Sequence, residues 1–117
     1  MSLIKETNLY NYKATVERLV DADMVDVSID LGFDIHHKTR LRLMGIDAPE
    51  RFTDEGKAAT AWLAQQLPIG HEVTVSTFKD KAGKFGRILA IITYNGLDMN
   101  QELVKNGHAV EYDGGKR

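Results

Sequence analysis

Arg40-Leu41-Arg42-Leu43-Met44-Gly45-Ile46-Asp47-Ala48-Pro49-Glu50 is the stretch around which the rest of the chain is organised. On a strand successive side chains point to opposite sides, so Arg40 and Arg42 share one face while Leu41 and Leu43 share the other. The leucines are expected to meet a core and the arginines to point outward. Gly45 loosens the backbone at the strand end, and Pro49 biases Ala48 toward extended conformations, which puts Asp47 and Glu50 in a turn just beyond it. Two guanidinium groups and two carboxylates thus fall within eleven residues. Such a mixture serves either a salt-bridged strand end or a site that handles a phosphate. In the second case carboxylates hold a cation or activate water, and arginines grip phosphate oxygens in a fork.

Upstream, Tyr12, Ala14 and Val16 alternate with polar neighbours. Val25, Val27 and Ile29 do so again after Asp21-Ala22-Asp23, which predicts two strands joined by a turn carrying two aspartates. Paired aspartates at a turn commonly do no more than cap it. Gly32 to Lys38 reads as an exposed hairpin loop leading into the strand of Arg40 to Met44. Its adjacent His36 and His37 are not read as a metal pair, because neighbours on a strand point opposite ways. Downstream, Thr53 is an N-cap, and Ala59, Trp62, Leu63 and Leu67 recur at helical spacing until Pro68 and Gly70 stop the pattern, with Trp62 facing the core. Glu72 to Thr77 and the β-branched run Ile88 to Tyr94 give a fourth and a fifth strand. Lys79 to Arg87 connects them, and four of its nine residues are basic. Asn95-Gly96 marks a turn, Asn100 is placed as the cap of a short second helix, and Gly107 suits its stop. His71 and His108 show no partner in the pattern.

With 117 residues, 43% hydrophobic and 27% charged, the chain supports one core and a single domain over 1–117. Five short strands with a helix after the third predict an α+β, mainly β, architecture: a five-stranded Greek-key barrel of the oligonucleotide/oligosaccharide-binding (OB) type with two or three short helices. That barrel hosts both enzymes and passive binders. The absence of cysteine removes disulfides, thiolate metal sites and cysteine nucleophiles, so chemistry falls to carboxylates, histidines, arginines or hydroxyls. A net charge of −2 excludes a large uniform basic field, and an anionic substrate therefore needs a local basic patch or a bound cation. No stretch approaches the ~20 apolar residues of a membrane span, and Met1 to Tyr12 lacks the apolar run of a secretory signal. The expectation is a soluble domain, cytoplasmic or secreted, without a membrane partner.

Four segments taken in order resemble the signature of the staphylococcal nuclease (thermonuclease) family: Val20 to Val25, Arg42 to Glu50, Lys84 to Ala90 and Asn100 to Gly107. The likeness spans residues 13–112. It implies a calcium-dependent, sugar-nonspecific endonuclease that hydrolyses DNA and RNA and leaves 3′-phosphate ends. By resemblance, Asp23 and Asp47 are carboxylate ligands of Ca2+, and the backbone carbonyl of Ala48 is a third. Glu50 is the general base, and Arg42 and Arg87 contact the scissile phosphate. Lys84 matches a phosphate-contacting position, and Phe85 and Tyr112 sit near positions where aromatic residues approach a base or phosphate. The chain departs from the family at three places. Asp21-Ala22-Asp23-Met24 stands where Asp-Gly-Asp-Thr is usual, so an alanine replaces a residue suited to positive φ and a hydroxyl that could brace the metal shell is missing. Ala48 stands where threonine is frequent, a change that a backbone ligand survives. The alternative is a non-catalytic nucleic-acid- or protein-binding module of the same shape.

Overall fold

Apolar residues at every second position wrap one sheet into a barrel. The computed structural model describes residues 9–82 and 88–112. Its elements are β1 (Leu9–Asp21), β2 (Met24–Asp30), β3 (His36–Leu43), β4 (Ile46–Asp47), α1 (Asp54–Gln66), β5 (Glu72–Ala82), β6 (Ile88–Tyr94), β7 (Leu97–Asp98), α2 (Met99–Lys105) and β8 (Val110–Glu111). Five strands pair in the order β3-β2-β1-β5-β6, and a parallel pairing of β3 with β6 closes the ring. Closure satisfies the edges that an open sheet would leave exposed. This is the expected OB-type barrel.

Ala14, Val16, Val25, Val27, Ile29, Leu41, Leu43, Val73, Val75, Ala90 and Ile92 point inward from the five strands. Leu41 and Leu43 are fully buried, each contributing on the order of 2 kcal/mol by leaving water. Arg40 and Arg42 lie on the outer face, as the alternation requires. Ala59, Leu63 and Leu67 of the α1 region and Met99 and Leu103 of α2 complete the core. Thr53 caps α1, its hydroxyl accepting from the Gly56 N–H at 2.9 Å, while Asp54 and Glu55 in the first turn complement the helix dipole. Trp62 is only partly buried and packs against that core with one face near His108, the ring centroids 5.3 Å apart.

Four sequence expectations need correction. His36 and His37 are exposed but belong to β3, paired with Asp30 and Ile29, so the loop is shorter than Gly32 to Lys38. Asp98, not Asn100, caps α2, accepting from the Gln101 N–H at 3.0 Å. Asn100 is buried: its side chain accepts from the Ile92 N–H at 3.2 Å and donates to the carbonyls of Met44 at 2.9 Å and Ala90 at 3.0 Å. It therefore ties the end of β3 to β6. His71 and His108 do have partners, His71 through a 2.8 Å hydrogen bond between Nδ1 and the Tyr94 hydroxyl, and His108 through Trp62.

Candidate active site

The outer face of β3 runs into the turn between β1 and β2, and the two are stitched by the Leu43 N–H donating to the Asp23 carbonyl at 2.8 Å. Ala22 at this turn is fully buried, and it is not among the described residues with positive φ. The turn thus has no need of glycine here, and an alanine methyl fills core space instead. Gly45 is where the left-handed backbone falls, at φ 82, between β3 and β4.

Arg42 occupies the junction, its side chain 13% exposed. Nη1 lies 3.2 Å from Asp23 Oδ2 and donates to the Leu43 carbonyl at 3.1 Å, while Nη2 donates to Asp47 Oδ1 at 3.4 Å. Asp23 Oδ2 also accepts the Ala48 N–H at 2.8 Å. One guanidinium therefore bridges carboxylates from the β1–β2 turn and from β4, with Ala48 beside the first. Burial pushes the Asp23 carboxyl above its ordinary value of 3.8; the Ala48 N–H and the Arg42 charge oppose that rise, and the Asp21 carboxylate adds to it.

Glu50 follows, exposed, on a loop whose backbone is held from both sides. Its carbonyl accepts from the Thr53 N–H at 3.0 Å and from the Thr53 hydroxyl at 2.7 Å. Gly56 packs so closely that a Cβ there would overlap the Glu50 carbonyl. The next residue, Arg51, donates its N–H to Asp21 Oδ1 at 3.2 Å, tying the loop to the aspartate turn.

Asp23, Asp47, Arg42 and Ala48 are thus brought together, and Glu50 lies two residues beyond Ala48 on the same segment. Tyr112 joins them through its backbone: β8 pairs with β4, and the Tyr112 N–H donates to the Gly45 carbonyl at 2.8 Å. Lys84, Phe85 and Arg87 lie outside the described residues. Arg40, read with Arg42 as a phosphate grip, instead forms a two-pronged pair with Asp26 at 2.7 and 3.2 Å. Asp21, Arg51 and Gly56 were not assigned to a site from the pattern. A glycine inside the first helical turn was the one available signal, since it marks close backbone approach.

The donor set fits a hard divalent cation. Carboxylate oxygens from two segments converge on a single guanidinium, and hard oxygen donors of this kind are what such a cation takes. Among the described residues no three His, Cys, Asp or Glu side chains form a complete cage. Further oxygens would have to come from backbone, water and substrate.

The staphylococcal nuclease homologue family model matches residues 40–116. The chain is 34% identical over 113 residues to endonuclease YhcR of Bacillus subtilis, covering 86% of this chain and 9% of that protein. It is 34% identical over 99 residues to an uncharacterised endonuclease of Escherichia coli, covering 84% of this chain and 60% of the relative. A probable staphylococcal-like nuclease of rice, CAN2, is 35% identical over 72 residues, 62% of this chain and 19% of its own. The chain therefore spans less than two-thirds of each of these relatives. With the barrel, the clustered carboxylates and these matches together, the chain belongs to the staphylococcal nuclease homologue family.

Proposed function

We propose that this domain is a calcium-dependent endonuclease that hydrolyses phosphodiester bonds of DNA and RNA and leaves 3′-phosphate ends. The observation that carries the reading is the bridging of Asp23 and Asp47 by Arg42 beside the anchored loop of Glu50. Asp23, Asp47 and the Ala48 carbonyl would hold the ion, which when bound supplies positive charge against a phosphate oxygen and acidifies a nearby water. The Glu50 carboxylate accepts a proton from the attacking water. The water oxygen bonds to phosphorus, the bond to the 5′ oxygen breaks, and that oxygen takes up a proton from solvent while Glu50 gives its own back to solvent. Contacts to Leu43, Asp23 and Asp47 occupy at most three of the five N–H groups of Arg42, so donors are left for phosphate oxygens as their charge grows. Arg87 is assigned the same task from the resemblance, with Lys84, Phe85 and Tyr112 as substrate contacts.

Cleavage of single-stranded DNA and RNA by purified protein, with calcium, with a chelator, and by Glu50→Gln, tests this. Cutting is expected to require calcium and to lose most of its rate in the variant, with the fold retained. Full activity in a clean Glu50→Gln preparation removes the base role. No cutting by the wild type with calcium removes the enzyme reading and leaves a binding module.

A further inference from the structure

Phe52, two residues past Glu50, is 74% exposed. A single exposed phenylalanine is unremarkable in itself. Here, however, the ring stands on a segment fixed on both sides: the Arg51 N–H is held by Asp21, and Thr53 is held twice by the Glu50 carbonyl. The Arg51 guanidinium lies 5.2 Å from the centre of the Phe52 ring, a cation–π contact that orients the ring. Two residues of chain span at most about 7.6 Å between Cα atoms, so the ring stays beside the Glu50 loop.

We infer that Phe52, steadied by Arg51, is a stacking platform for a nucleobase flanking the scissile phosphate. This rests on the nuclease reading and deepens it by naming a base contact beside the Glu50 loop. An aromatic face accepts any base, but it reaches only a base that has left its helical stack. Arg51 adds a positive charge where the neighbouring carboxylates would otherwise repel the strand. Among the described residues the other strongly exposed aromatic, Phe33, is 97% exposed and sits in the loop between β2 and β3. That is a strand length from Arg42, roughly 20 Å, too far to serve the same nucleotide.

The test compares wild type, Phe52→Ala, Phe52→Trp and Phe33→Ala in the presence of calcium. Two single-stranded oligonucleotides are used, one with every base present and one with abasic residues flanking the scissile bond. Phe52→Ala is expected to raise KM about tenfold on the first with kcat held, and to change nothing on the second; Phe52→Trp restores KM, and Phe33→Ala behaves as wild type. In a Trp62→Phe background, the emission of Phe52→Trp falls when the full oligonucleotide binds. Equal kinetics of Phe52→Ala and wild type on the first substrate, or an equal loss on the abasic one, overturns the platform. If wild type cuts neither substrate, the nuclease reading fails separately and the emission decides: quenching keeps a base-binding site, and no quenching ends it. Quenching by lipid vesicles and not by oligonucleotide also overturns it.

Discussion

Arg40 and Arg42 stand two residues apart on the same face of β3, yet they live in opposite electrostatic conditions. Arg40 meets one carboxylate, Asp26, in an exposed two-pronged pair with side chains 46% and 26% exposed. Charge is matched there and water screens it. Arg42 is shared between Asp23 and Asp47, whose side chains are 8% and 16% exposed. The difference is one of counting and of depth. Around Arg40 one exposed carboxylate meets one guanidinium, whereas around Arg42 two carboxylates from separate segments, largely withdrawn from water, share one guanidinium.

Removing either arginine separates the two ends of the strand. Arg42→Ala is expected to lower kcat by about 10³-fold, the upper range for loss of one donor to a developing charge. It should also cost about 3 kcal/mol in urea unfolding, because Asp23 is left buried without its counter-charge. Gly56→Ala leaves every charge in place but pushes against the Glu50 carbonyl, and activity should fall about 100-fold through displacement of Glu50 by a fraction of an ångström to an ångström. A thermal melt with calcium checks that the fold persists.

Asp23→Asn has a smaller effect on stability, of opposite sign. The amide can still accept the Ala48 N–H, while the buried charge is gone, so the metal-free variant should be as stable as wild type or more stable by about 1 kcal/mol. The pH dependence follows from the raised Asp23 value. Folded protein holds this proton more tightly than the unfolded chain, so the contribution of Asp23 to metal-free stability falls as pH rises from 3.8 through the raised value, then stays low. Denaturation curves from acid to neutral pH should lose that component in Asp23→Asn. At the other end of β3, Arg40→Ala should leave both melting temperature and cleavage within experimental error of wild type.

The long strands and α1 were legible because a period of two or of 3.6 had room to repeat. β4, β7 and β8 have two residues each and carry no period. Asn100 misled because asparagine favours caps in water, whereas here three backbone groups at the join of β3 and β6 give its amide full hydrogen bonding inside the protein. Asp23 and Asp47 are 24 residues apart in sequence and meet only because β2 pairs with β3 and Ala48 folds back on the turn. No local pattern contains that contact; the resemblance to a family supplied it. The departure at Ala22 looked like a weakened turn, and it proves to be a core residue where the backbone never asked for glycine.

The most direct test of the proposed cation site around Arg42 is calorimetric titration of calcium into wild type, Asp23→Asn, Asp47→Asn and Asp26→Asn. One calcium should bind to wild type and to Asp26→Asn, and neither Asp23→Asn nor Asp47→Asn should show the heat. Absence of binding to wild type, or binding that survives both of those substitutions, would contradict the account.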